Sequence, residues 1–208
     1  MKIEALLSDV DGTLLNTHGL IVAAFDIVLS NHHIPHTIAG IEATIGKSLM
    51  ESYQILTSRA DVADFMKEHG NFQEGNLQLA TLFPGVSDTL KELKTMGIKI
   101  AVVSTRTRNC RLMLDNAGIS NYFDAIVTGD DVMNHKPDPE ALFLAMEELS
   151  IKPQQAIMMG DIAVDIKAGR NAGTRTIGVT YGSLGKNIRD CNPDYIIDFI
   201  EDILPIFR

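Results

Sequence analysis

The stretch Ile3-Glu4-Ala5-Leu6-Leu7-Ser8-Asp9-Val10-Asp11-Gly12-Thr13-Leu14 decides how the chain is read. Its first residues form a short apolar run without strict alternation, the pattern of a strand covered on both faces. The run ends in two aspartates two positions apart, followed by a Gly-Thr turn. Side chains at i and i+2 of extended backbone point the same way, so Asp9 and Asp11 share a face. Two such carboxylates repel unless a cation or a proton lies between them. A plain turn also accounts for Asp and Gly here. The rest of the chain tips the balance.

Outward from this strand, similar apolar runs occur at 98–103, 125–128, 156–159 and 176–179, with a sixth at 195–197. Helical patterns lie between them. In 85–96, Val86, Leu90 and Leu93 fall on one stripe and Gly97 is the stop. In 107–117, Leu112, Met113 and Leu114 supply apolar surface ahead of Gly118. Asp138 and Pro139 read as N-cap and first-turn proline of a helix reaching Leu149. In 165–172, Ala168, Gly169 and Ala172 are small enough to let a helix sit close on a sheet. Strand-helix alternation predicts an α/β fold, a three-layer Rossmann-like core around a parallel sheet with right-handed crossovers.

The block 15–83 shows no strand pattern. Thr17 is placed to cap a helix with Ile21, Phe25, Val28 and Leu29 on one side, and further helices are expected over 38–45, 48–56 and 61–80. The expectation is a catalytic core of 1–14 and 84–208 carrying a small helical cap at 15–83. Short linkers at Leu15-Asn16 and Phe83-Pro84 would serve as hinges.

A chain of 208 residues suits one large domain, or one domain with an insert. No run of about 18 apolar residues is present and the first residues carry no leader pattern, so neither a membrane partner nor export is expected. Cys110 and Cys191 form no metal or redox motif, which points to free thiols in a cytoplasmic setting. The formal charge of -9 argues against nucleic acid. A monomer or weak homodimer is expected.

The chemistry-bearing residues fall at strand ends, where open parallel sheets bind ligands. Ser104 and Thr105 follow the second long strand and offer hydroxyls and N–H groups to phosphoryl oxygens. Lys136, in Asn134-His135-Lys136-Pro137-Asp138-Pro139, sits in a rigid loop ahead of a helix, where a lysine can neutralise a carboxylate nucleophile and an incoming phosphate. Gly160-Asp161 and Asp165 add acidic oxygen ligands. Taken singly, these are a helix entry, a solvated charge and an N-cap. Four strand ends supplying this set together point to a site.

In combination, Asp9-Val10-Asp11-Gly12-Thr13-Leu14, Ser104, Lys136 and Gly160-Asp161-Ile162-Ala163-Val164-Asp165 resemble the four motifs of the haloacid dehalogenase superfamily. The helical insert, Ala168-Gly169-Arg170-Asn171-Ala172-Gly173 and Gly178-Val179-Thr180-Tyr181-Gly182 are similar to its phosphoglycolate phosphatase, pyrophosphatase and β-phosphoglucomutase subgroup. The resemblance implies a phosphatase in which Asp9 attacks phosphorus to form an aspartyl-phosphate. Asp11 protonates the leaving oxygen and then activates water. Mg²⁺ is held by the Asp9 carboxylate, the Asp11 carbonyl and Asp161, while Asp165 binds it through water or orients Lys136. Ser104 and the Thr105 N–H take phosphoryl oxygens. The dehalogenases of the superfamily lack an acid at the position of Asp11, so an oxygen leaving group is implied.

Two positions depart from the subgroup pattern: Thr105 stands where Asn is common, and Ile162 where Ser or Thr is common. Arg106 is read either as a compensating charge near the substrate or as a solvated arginine at a helix start. Gly46-Lys47-Ser48 lies where the caps of similar proteins read the substrate, and Lys47 would suit an anionic leaving group; an exposed helix-start lysine is the plainer account. His32, His33 and His36 lack zinc-site spacing and are expected in a solvated loop. The implied partner is a small phosphorylated metabolite. A phosphomutase and a catalytically silent phosphate-binding module are the alternatives.

Overall fold

Every residue of the opening strand, β1 (Ala5–Ser8), is buried in the computed structural model, as its unbroken apolar character requires. The structure describes residues 2–106 and 109–208. After β1 come the two-residue strand β2 (Leu15–Asn16), the helices α1 (His18–Asn31), α2 (Ile38–Glu42), α3 (Leu49–Thr57) and α4 (Ala63–Gly75), and the two-residue strand β3 (Thr81–Leu82). The remainder alternates as α5 (Val86–Thr95), β4 (Lys99–Val103), α6 (Cys110–Asn116), β5 (Ala125–Val127), α7 (Glu140–Leu149), β6 (Ala156–Gly160), α8 (Ala163–Ala172), β7 (Arg175–Val179) and β8 (Tyr195–Ile197). One compact unit comprises Met1–Asn16 with Thr81–Arg208, the other Thr17–Ala80.

In the first unit six strands form one sheet in the order β5-β4-β1-β6-β7-β8, and every neighbouring pair is parallel. Leu6 is in register with Ile100 on one side and Ile157 on the other. The chain therefore leaves β1 in both directions, and the crevice beyond its carboxyl end is the topological switch point at which such sheets bind ligands.

Alternate residues of the strands feed opposite faces. Ala5, Leu7, Ala101 and Val103 join one cluster with Leu142, Ala145 and Met146 of α7 and Ala168 and Ala172 of α8. Leu6, Ile100 and Val102 take the other face, and α5, which buries Val86, Leu90 and Leu93, packs on β4. Each such leucine contributes about 1.5–3 kcal/mol by leaving water. The small residues of α8 work as expected: a Cβ on Gly169 would lie 2.6 Å from Thr176 Cγ2 and 3.0 Å from Met158 Cβ.

Several local expectations are corrected. Helix α7 begins at Glu140 with Pro139 in the cap position, because Asp138 Oδ1 accepts the Glu140 N–H at 3.0 Å and turns the chain first. Helix α6 is described from Cys110, and its expected start at Thr107 lies outside the described residues. The helix expected over 61–80 ends at Gly75, a poor helix former, and Leu77–Leu79 forms a 3₁₀ turn. The helix expected to reach residue 45 stops at Glu42, where the Thr44 hydroxyl bonds back to the Ile41 carbonyl. Thr17 occupies the N-cap position of α1 without a side-chain capping bond. The block 15–83 does begin and end in strand, since Leu15–Asn16 and Thr81–Leu82 pair antiparallel. Two residues are too few to show a period.

The unit Thr17–Ala80 has its own core of Phe25, Val28, Leu29, Ile41, Tyr53, Val62 and Phe65. Buried His69 lies 3.0 Å from Tyr53 Oη through Nδ1 and 3.0 Å from Gln73 Nε2 through Nε2. His32 and His36 are not in a solvated loop. The His32 ring stacks on Phe65 at 4.2 Å and reaches Glu68, and His36 contacts Asp26 and the Ile34 carbonyl. Among the described residues, no helix is long and apolar enough to cross a membrane.

Candidate active site

Asp9 is the first residue beyond β1, and its N–H still pairs with the Met159 carbonyl at 3.0 Å, so β6 holds it in line with the sheet. The backbone then turns at Gly12, whose φ of +75° favours glycine. Asp9 is 6% exposed and Asp161, one residue past β6, is 1% exposed. Asp165, in the first turn of α8, is fully buried. Gly160 makes that possible, since a Cβ there would overlap the Asp165 side chain.

Lys136 comes from the loop between β5 and α7. Its Nζ donates to Asp9 Oδ1 at 2.7 Å, to Asp165 Oδ1 at 2.6 Å and to the Val103 carbonyl at 3.0 Å, which uses all three ammonium protons. The loop is held from outside. Glu140 accepts from the Met133 and Asn134 N–H groups, each at 2.9 Å, and Asn171 of α8 donates to the Pro137 carbonyl at 2.8 Å. The lysine is therefore presented on a braced segment.

Ser104 follows β4, is buried, and accepts the Arg106 N–H on its Oγ at 3.1 Å. Thr105 is exposed. Arg106 turns back toward Asp11 and forms a two-point pair, Nε to Oδ2 at 2.9 Å and Nη2 to Oδ1 at 2.7 Å. This geometry is among the strongest available to a carboxylate. Of the two sequence readings for Arg106, the solvated one does not describe it: its side chain is only 9% exposed.

The charges decide what the site can hold. Among the described residues, the carboxyl groups of Asp9, Asp11, Asp161 and Asp165 lie with one ammonium and one guanidinium, so the site is richer in acid than in base. Burial raises the Asp9 carboxyl well above the ordinary range, and Asp165, Asp161 and Asp11 add to this against the pull of Lys136. Burial, then Asp165, pushes Asp161 up to about 6. Burial works against charge on Lys136, but Asp165 and Asp9 outweigh it and its pKa is raised. Burial thus disfavours the charged forms of Asp9 and Asp161, and a cation bound against them would favour those forms. Asp9, Asp161 and Asp165 each offer a ligand atom, and these atoms lie within 4.8 Å of one another. An all-oxygen set of three buried carboxyl groups fits a hard divalent cation.

The fold thus brings together Asp9, Asp11, Ser104, Arg106, Lys136, Asp161 and Asp165. Gly46 and Lys47 belong to the other unit, in the turn before α3, where Lys47 Nζ pairs with Glu51 at 3.0 Å and is 41% exposed. Sequence reasoning did not find the partner of Arg106, and it gave no place beside Asp161 to Thr13 and Gly182, which stand in the motifs quoted above, or to Ser183.

The haloacid dehalogenase-like hydrolase family model matches residues 6–179. A pyrophosphatase PpaX from Bacillus mycoides is 35% identical over 210 residues, covering 99% of this chain and 97% of its own. A predicted phosphoglycolate phosphatase from Haemophilus somnus has a crystal structure similar to this fold at TM-score 0.91 and 26% identity, covering 100% of this chain and 99% of that one. A β-phosphoglucomutase from Clostridium difficile, at TM-score 0.83 and 24% identity over 97% of this chain and 93% of that one, shares the fold. With a family match running from β1 to β7 and a relative alike along its whole length, the chain belongs to the haloacid dehalogenase-like hydrolases.

Proposed function

We propose that this hydrolase is a Mg²⁺-dependent cytoplasmic phosphatase that frees phosphate from a small phosphorylated metabolite by way of an aspartyl-phosphate on Asp9. The observation that carries the reading is the Lys136 ammonium, buried between Asp9 and Asp165, with Asp9, Asp161 and Asp165 offering oxygen atoms within 4.8 Å of one another. In the first step an Asp9 carboxylate oxygen bonds to phosphorus, the bond to the leaving oxygen breaks, and Asp11 passes a proton to that oxygen. In the second, Asp11 takes a proton from the attacking water, the phosphorus–Asp9 bond breaks, and phosphate leaves with Asp9 restored. Lys136 lowers the repulsion between Asp9 and the incoming phosphoryl group. The Ser104 hydroxyl and Thr105 N–H hold phosphoryl oxygens. Arg106 orients Asp11 in the resting site; for the first step this pair opens, Asp11 enters protonated, and the guanidinium is free to offer positive charge to the substrate.

The carboxylates of Asp9 and Asp161, with the Asp11 carbonyl, would hold Mg²⁺, which supplies neutralisation of the phosphoryl oxygens. Asp165 spends Oδ1 on Lys136 and Oδ2 on the Ile162 N–H, which suits it to orienting the lysine. Pyrophosphate and phosphoglycolate are the first substrates to test, given the named activities of the relatives. Gly46 and Lys47 are the proposed cap contacts to an anionic leaving group.

The test is phosphate release from a metabolite panel with Mg²⁺, using wild type, Asp9→Asn and Lys47→Ala. Wild type should turn over, Asp9→Asn should be silent, and isotope-labelled water should enter the released phosphate. Full turnover by Asp9→Asn would remove the nucleophile from the scheme. Phosphate returned to the substrate without solvent oxygen would make the enzyme a mutase.

A further inference from the structure

Residues 181–183, which follow β7, close directly over Asp161. The Ser183 N–H donates to Asp161 Oδ2 at 2.6 Å, and the Thr13 hydroxyl donates to Oδ1 at 3.3 Å. A Cβ on Gly182 would sit 2.7 Å from Asp161 Oδ2 and would overlap Asp161 Cβ and the Gly12 carbonyl. From the other side, a Cβ on Gly12 would overlap Oδ2 and lie 2.7 Å from Cγ. The carboxylate is held between two backbone segments that approach this closely only because both carry glycine. The loop over it is anchored in turn. The Tyr181 hydroxyl donates to the Thr13 carbonyl at 3.0 Å, and its ring packs against Phe83 with centroids 4.8 Å apart.

We propose that Tyr181-Gly182-Ser183 is a positioning element for the metal, locking the Asp161 carboxylate in the arrangement that keeps it within 4.8 Å of the ligand atoms of Asp9 and Asp165. This rests on the metal reading above and adds residues that do not touch the ion. A carboxylate has about four lone-pair sites, so one bond to each oxygen fixes its plane and still leaves sites for a cation. Groups that orient a metal ligand typically change affinity by about 10–100-fold when lost. A methyl group at 182 pushes the loop off Asp161 and takes the Ser183 bond with it. Removing the Tyr181 hydroxyl releases one anchor without filling any space.

The experiment is calorimetric titration of Mg²⁺ into the full chain, with the metal-free melting temperature measured alongside. The variants are Gly182→Ala, Tyr181→Phe and Asp161→Asn. Gly182→Ala should weaken Mg²⁺ binding about tenfold or more and Tyr181→Phe about threefold, with the metal-free melting temperature of Tyr181→Phe close to that of wild type. If Gly182→Ala does not fold, Tyr181→Phe decides alone. Wild-type affinity in both loop variants, with binding lost in Asp161→Asn, overturns this proposal and leaves the metal reading standing. No Mg²⁺ binding by wild type, or equal binding by Asp161→Asn, overturns the metal reading itself.

Discussion

Replacing Lys136 by methionine keeps most of the side-chain volume and deletes the charge, so its cost can be worked from the contacts. The ammonium lies 2.7 Å from Asp9 and 2.6 Å from Asp165, with side chains of 2%, 8% and 0% exposure respectively. Removing one member of a buried ion pair typically costs about 3–5 kcal/mol, because the remaining charge is stranded. The stranded carboxylate can escape by taking up a proton, and that sets a ceiling. From an ordinary carboxyl near 3.8, protonation costs about 5 kcal/mol at pH about 7.5 and roughly 1.6 kcal/mol at pH about 5, at about 1.36 kcal/mol per unit. In the presence of chelator, Lys136→Met should therefore lose about 3–5 kcal/mol near pH 7.5 and clearly less near pH 5. Urea unfolding followed by circular dichroism at both pH values reads this directly. Adding Asp165→Asn to the variant should recover at least about 1 kcal/mol, since the two residues share one network. A variant within about 1 kcal/mol of wild type at both pH values, or equally destabilised at both, would refute the buried-charge reasoning.

Three further outcomes are expected. Asp161 has a folded pKa of about 6, above its ordinary 3.8, so in metal-free protein its contribution to stability is full below about 4 and is lost as pH rises toward 6. Because Mg²⁺ needs the ionised form, affinity measured by calorimetry should be about tenfold weaker at pH 5 than at pH 7, and equal affinities would contradict the assignment. His36 is raised above its ordinary 6.5 by the Ile34 carbonyl first and then by Asp26. Its contribution, about 1 kcal/mol for a pair whose Asp26 side is open to water, is present below 6.5 and lost as pH rises through the folded value, so His36→Gln should lower the urea midpoint at pH 5.5 and leave it unchanged at pH 9. Gly169→Ala should cost about 1–3 kcal/mol by forcing α8 off β6 and β7, and an unchanged melting temperature would show that the helix can shift freely.

The strands were legible because burial on both faces writes itself locally as an apolar run. All six sheet strands lie within about two residues of the runs at 3–7, 98–103, 125–128, 156–159, 176–179 and 195–197. Helix ends were less legible where a side chain competes with the next backbone bond, as with Asp138 before α7 and Thr44 after α2. Arg106 was ambiguous because a charged residue three positions past a strand reads the same whether it meets water or a carboxylate. Its partner, Asp11, is 95 positions away. His32 and His36 misled for a related reason: in sequence they stand among polar neighbours, and only the packing of α1 with α4 and the loop before α2 provides Phe65, Glu68 and Asp26 as partners.

The sequence alone determined the alternation that makes a parallel sheet and the placement of acid, hydroxyl and lysine at successive strand ends, because both follow from patterns a few residues long. Tertiary structure decided which of these groups meet. Lys136 and Asp9 are 127 positions apart, and they touch because the strand order turns both ways at β1 and gathers the neighbouring carboxyl ends. It also decided what Gly12 and Gly182 are for. A missing side chain has meaning only through what stands opposite it, and here that is the carboxylate of Asp161.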